Sequence, residues 1–115
     1  MATTTSTAHE RITDEVTSWP GVEAGTGSRG EFGFRVGGHE VGHLHERSAH
    51  FAFGRDLGMQ LRAEQRIVDH PVFPGKPGIG ARRIESDADV DEVIALMRLN
   101  YDRIVARHGL EDGRG

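Results

Sequence analysis

The sequence predicts an α+β fold in which a small antiparallel sheet carries helices on one face. Two segments, 31–36 and 39–45, alternate between apolar and polar residues and are joined by two glycines, which is typical of a β-hairpin. Apolar residues also recur with helical spacing near both ends of the chain. The predicted elements follow the order α-β-β-β-α-β-α, which favours helices packed against one antiparallel sheet.

Composition limits the classes of protein to consider. A chain of 115 residues fits one domain, which we place at 8–108 between a disordered segment 1–7 and a flexible tail 109–115. The absence of cysteine excludes disulfides, thiolate nucleophiles and cysteine-based metal centres. A net charge of −4 argues against a nucleic-acid partner. Neither a membrane span nor a signal peptide is predicted, so we expect a cytoplasmic location.

The first predicted helix covers residues 8–18. Ile12, Val16 and Trp19 recur at helical spacing and define one apolar face. Pro20 ends the helix because proline disfavours helical geometry in the residue before it.

Short strands are predicted on both sides of the hairpin. Residues 22–26 form the strand before it, and residues 50–53 add a short edge strand after it. Gly37 and Gly38 suit the hairpin turn, because the favoured two-residue turns need positive φ angles.

The second half of the chain alternates helix, loop, strand and helix. Two leucines four residues apart predict a helix over 54–66, and three prolines make 69–78 a loop. A strand follows over 79–84. Ser86, followed by several acidic residues, begins the last helix, and Gly109 is suited to end it.

The register of the hairpin follows from its turn. It pairs Arg35 with Glu40 on one face, where opposite charges stabilise the sheet mildly. It also places Phe32 opposite His43. The residues predicted on the second face are Phe32, Phe34, Val36, His39, Val41, His43 and His45. On this register Glu40 points away from the histidines.

Four of the seven histidines fall between residues 39 and 50, and part of this cluster matches a metalloprotease motif. The segment His39–His43 reads H-E-x-x-H, which on a helix places two zinc ligands on one face beside a general base, Glu40. The candidates for a third ligand are His50, Asp56 and Asp69. Glycines at 37, 38 and 42 and the upstream two-residue period argue against a helix here, and so against this interpretation.

A second metal hypothesis remains if the segment is a strand. His43 and His45 then project from the same face and could bind zinc, with His70 approaching from the loop as the third ligand. The simpler alternative, which we favour, is that both imidazoles form local hydrogen bonds on a half-buried sheet. We therefore predict no cofactor and keep zinc as the alternative.

Our functional hypothesis is a module that binds a small molecule beside His43 and His45, with the loop 70–80 closing the pocket. His70 and Arg82 complete the candidate ligand-binding residues, since an arginine near a strand end can bind an anion. Two alternatives stay open: a histidine-based metal enzyme, and an accessory domain that self-associates, for example as a homodimer, through an exposed strand edge.

Three segments resemble a known family. The run Phe34–His45, FRVGGHEVGHLH, resembles the hairpin F-R-V-G-x-x-E-x-G-H-x-H of small luciferase-family domains. The W-P-G-V turn within 12–22 and the acid-capped helix within 86–101 resemble the opening and closing elements of the same family. The resemblance covers residues 10–105.

This resemblance implies an α+β domain and little chemistry. Gly42, His43 and His45 match the family's G-H-x-H, whereas His39 falls at a variable position. The chain departs from the family in two places: it has Gly-Ile-Gly over 78–80 where a tryptophan is usual, and His70-Pro where a second histidine is usual. A pocket built from that tryptophan and histidine would be altered here.

Overall fold

One antiparallel sheet of six strands forms the centre of the molecule in a computed structural model, which describes residues 5–28 and 30–110. The helices are α1 (Thr5–Thr17), α2 (Arg55–Ala63) and α3 (Asp87–His108). The strands are β1 (Val22–Thr26), β2 (Phe32–Val36), β3 (His39–Leu44), β4 (Ser48–Ala52), β5 (Val68–Asp69) and β6 (Ile79–Arg83). The predicted α+β class is confirmed.

The strand order β1-β2-β3-β4-β6-β5 differs from the prediction in two respects. Strand β4 lies in the middle of the sheet between β3 and β6, so its prediction as an edge strand was wrong. The two-residue strand β5 was not predicted. Helix α1 begins at Thr5, three residues earlier than predicted. Predictions for residues 1–4 and 111–115 lie outside the described residues.

The core lies between the sheet and helices α1 and α3. The predicted apolar face of α1 is confirmed, because Ile12, Val16 and Trp19 are all buried. Tyr101 of α3 contacts Trp19 and donates a hydrogen bond of 2.6 Å from its hydroxyl to the Pro20 carbonyl, which joins the two helices. In the described part of the chain, no helix combines the length and apolar character that crossing a membrane requires.

Helix α3 begins and ends at the predicted caps. The Ser86 hydroxyl accepts a hydrogen bond from the Asp89 amide at 3.2 Å, which satisfies one of the free donors of the first turn. Gly109 adopts the left-handed conformation at φ 63° that terminates helices.

The hairpin of β2 and β3 has the predicted turn. Gly37 and Gly38 have φ angles of 57° and 81°, as a two-residue turn of the primed type requires. The predicted pair Arg35–Glu40 is present beside the turn.

Further from the turn, a β-bulge in β3 changes the register. Val41 has no partner in β2, and Phe34 pairs with Gly42. The predicted pairing of Phe32 with His43 was therefore wrong, because Phe32 pairs with Leu44 instead. A bulge of one residue reverses the direction of every side chain after it.

Helix α3 supplies the group that holds the bulge. The fully buried Asn100 donates from Nδ2 to the Val41 carbonyl at 2.8 Å and to the Ala52 carbonyl at 3.2 Å. Its Oδ1 accepts a hydrogen bond from Arg103 Nε at 2.9 Å. The side chain thus satisfies carbonyls of β3 and of the end of β4 from the core side of the sheet.

Candidate functional site

The bulge directs His43 and His45 to the face of the sheet opposite α1 and α3. Phe34 and Leu44 are buried in the core, whereas His43 is half-buried and His45 is exposed on the other side. The prediction that both histidines share a face with Phe34 was therefore wrong.

Strand β4 adds a third imidazole to this face. His50 pairs directly with His43 and is only 5% exposed. The ring centres are 5.2 Å apart for His43 and His50, 4.1 Å for His45 and His50, and 5.0 Å for His43 and His45. One nitrogen from each ring lies within 4.8 Å of the other two. We call His43, His45 and His50 the three-histidine site.

Glu40 orients the first ring of this site. Nδ1–H of His43 donates a hydrogen bond to Glu40 Oε2 at 3.1 Å, which leaves the lone pair of Nε2 available. The predicted register had placed Glu40 and His43 on opposite faces; the bulge turns His43 to the face of Glu40. A carboxylate bonded to the distal nitrogen is the usual second partner of a metal-binding histidine.

His50 has one satisfied and one unsatisfied nitrogen. Nε2 lies 3.2 Å from the Ser48 hydroxyl. Nδ1 is fully buried and has no hydrogen-bond partner among the described residues. A buried polar atom without a partner is uncommon and points to a group that completes it.

His70 reaches the same cluster from the loop after β5. It is 8% exposed, and its ring centre is 4.3 Å from that of His50. Its Nδ1 accepts a hydrogen bond from the Val72 amide at 3.0 Å. Its other neighbour is Phe73, whose ring centre is 5.3 Å away. His70 does not contribute to the set of three converging nitrogens.

Burial favours the neutral form of three imidazoles here, those of His45, His50 and His70. Burial, reinforced by the neighbouring imidazoles, lowers the pKa of His50 to about 3. Burial also lowers the pKa of His45, with a further contribution from His43. The pKa of His70 is lowered by burial and then by His43 and His45. Neutral imidazole is the form that binds metals.

A shallow cavity of about 240 Å³ adjoins the site over β1 and β2. Glu40 and Gly33 line it on the side of His43, the residue with which Gly33 pairs. Glu23, Glu31 and Arg35 form the rest of its charged lining. The cavity thus reaches the edge of the three-histidine site through Glu40 and Gly33, and the His70 loop borders the site at His50.

The remaining predicted residues lie elsewhere. Arg82 is on the helix side of the sheet, where its guanidinium bonds Asp89 at 2.7 Å, and it does not reach the histidines. His39 stacks on His108 with ring centres 3.7 Å apart. Because β3 is a strand and His39 is outside the cluster, the structure contradicts the metalloprotease alternative.

Sequence reasoning missed the role of His50 in the strand-based metal hypothesis. The signal was present, because Ala49, Phe51 and Phe53 alternate with it and are all buried in the core. His50 must then project from the opposite face. That this face is also the face of His43 and His45 depends on the bulge.

The low pKa of His50 predicts that the metal-free protein loses stability in acid. In the unfolded chain His50 is protonated below its ordinary pKa of 6.5, whereas in the folded protein it stays neutral down to about pH 3. The free energy of unfolding therefore falls as the pH falls between these two values. Urea unfolding at pH 7 and pH 5 measures the loss. His50→Asn should show a smaller loss, with a remainder from His45 and His70; an equal loss would contradict the prediction.

Comparison with known proteins identifies a family. The family model described as Luciferase domain matches residues 38–100 of this chain, a segment that includes the three-histidine site and His70. No curated protein and no solved structure matches the chain.

Proposed function

The chain belongs to the luciferase domain family, and we propose that this member binds one divalent transition-metal ion through the three-histidine site. The ion keeps an open coordination position, at which a small ligand binds. The proposal unites the small-ligand hypothesis with the histidine-based metal alternative.

The unpartnered Nδ1 of His50 carries the proposal. Leaving a buried polar atom unsatisfied costs about 1–3 kcal/mol, and no described residue offsets this cost. The nitrogen is held in place by strand β4, and its ring is also fixed from the other side by Ser48. A metal bound to Nδ1 would satisfy it.

The donor set favours a metal of the zinc class. Three neutral imidazoles suit zinc, copper, iron or nickel, whereas calcium and magnesium prefer oxygen ligands. Nitrogens bound to one zinc ion lie about 3.3 Å apart, given a bond of about 2.0–2.1 Å. The three nitrogens lie within 4.8 Å, and exposed His45 can rotate to close the difference.

The chemistry follows from the charge of the site. Three neutral ligands leave the full charge of the ion uncompensated, so a bound water or small ligand is strongly polarised. Glu40 is committed to orienting His43 and is not itself one of the three converging groups. The arrangement resembles open metal sites with three protein ligands more than closed structural ones.

Cobalt titration tests this function, because Co²⁺ reports its coordination through visible absorption. We expect one equivalent of Co²⁺ to bind the metal-free protein, to give the absorption of a low-coordinate nitrogen site, and to raise the melting temperature. Zn²⁺ should displace the cobalt, and Mg²⁺ should change neither quantity. Absence of both cobalt absorption and a thermal shift with Zn²⁺ would refute the proposal.

A further inference from the structure

His70 lies beside the three-histidine site without offering it a metal-binding nitrogen. Its Nδ1 accepts the Val72 amide proton, so in the neutral ring Nδ1 is unprotonated and Nε2 carries the hydrogen. A nitrogen that carries a hydrogen donates a hydrogen bond and cannot bind a metal. The hydrogen bond from the loop backbone therefore fixes His70 as a donor.

The position of the ring determines what this donor can serve. Nε2 is on the edge of the ring opposite the Val72 contact, and the ring packs against His50. His70 is 8% exposed, so burial on the sheet holds the ring in place. Among the described residues no hydrogen bond uses Nε2, which leaves this donor for a group bound from outside.

We propose that His70 donates a hydrogen bond from Nε2 to an anionic ligand, a small carboxylate or another oxyanion, bound at the open position of the metal. This inference rests on the proposed metal function. The uncompensated charge of an ion held by three neutral imidazoles favours an anion. A hydrogen-bond donor held next to that ion also favours a ligand with an acceptor atom on the side of His70.

Two substitutions separate the donor role from a role in holding the loop. In His70→Asn the amide oxygen replaces Nδ1 and still accepts the Val72 hydrogen bond, but the distal donor is gone. In His70→Gln the amide nitrogen replaces Nε2 and still donates, but the contact to Val72 is lost. A donor role and a loop role therefore predict opposite rankings of the two variants.

The experiment measures the dissociation constant of azide, an anionic probe, for the cobalt-loaded proteins by visible absorption. We expect His70→Asn to weaken azide binding about tenfold or more, the value of one charge-assisted hydrogen bond, and His70→Gln to stay near wild type. Cobalt affinity should be similar in all three proteins. The melting temperature of each variant reports whether the loop still supports the fold.

Each other outcome has a defined meaning. If His70→Gln loses azide affinity and His70→Asn keeps it, the histidine only holds the loop and the inference is overturned. Equal azide affinities, or no azide binding to the wild-type cobalt protein, overturn it as well. Failure of the proposed metal function is distinguishable, because cobalt absorption is then absent before any azide is added.

Discussion

Replacing His45 or His50 with alanine is expected to weaken Co²⁺ binding at least about a hundredfold. Structural sites with four ligands bind zinc with about 10–16 kcal/mol, so one ligand accounts for several kcal/mol. His50→Ala also removes the nitrogen that has no other partner. His45 is exposed, so its replacement leaves the core intact and reports on the metal alone. Titration followed by visible absorption measures both affinities.

Two further variants are compared with these alanine replacements by their metal affinity. Glu40→Gln keeps the shape of the side chain but removes the charge that orients His43, and we expect metal binding to weaken about 10–100-fold. His39→Ala is the matched control, because His39 stacks on His108 outside the site and its loss should leave the affinity unchanged. Equal affinities across the series would show that the three histidines do not hold the ion.

Replacing Asn100 with leucine is expected to lower the free energy of unfolding by about 2–4 kcal/mol. The apolar side chain has a similar size, but it leaves the Val41 carbonyl without its donor in the core and removes one of the two donors to the Ala52 carbonyl, which keeps Arg103. Because Val41 is the bulged residue, the loss falls on the element that directs His43 towards the metal site. Urea denaturation of the metal-free protein measures the change.

Asp102→Asn on the same helix is the control for this variant. Asp102 is exposed and forms a surface pair with Arg98, so the free energy of unfolding should change by less than about 0.5 kcal/mol. If Asn100→Leu is equally mild, the bulge is held by the sheet and not by α3. The cobalt affinity of the folded Asn100→Leu protein then measures whether His43 still points towards the metal site.

The helices could be predicted because their signals are local. Ser86, the acidic first turn and Gly109 lie within the element that they cap, and the apolar face of α1 repeats within three turns. Gly58 shows where a local signal misleads. Glycine disfavours a helix by its intrinsic propensity, yet Gly58 is buried where α2 meets the backbone of Pro77, and a Cβ there would collide with that carbonyl.

The sheet was predicted only in part because its register depends on contacts distant in sequence. The turn at Gly37 and Gly38 determines the first pairs of the hairpin, and those pairs were predicted correctly. The alternation of apolar and polar residues gives no sign of the bulge at Val41. The Val41 carbonyl is satisfied by Asn100, which lies 59 residues later in the chain.

The candidate site, like the sheet, could be predicted only in part. The sequence by itself determined the fold class, the hairpin turn, the caps of α3 and a concentration of histidines in one short segment. Tertiary structure alone decided which histidines meet. The bulge turned His43 to the face of Glu40, the central position of β4 brought His50 beside them, and the loop placed His70 at their edge. The physical reason is that side-chain direction in a strand reverses with each residue. One unpaired residue, stabilised by a helix distant in sequence, therefore changes which side chains form the site.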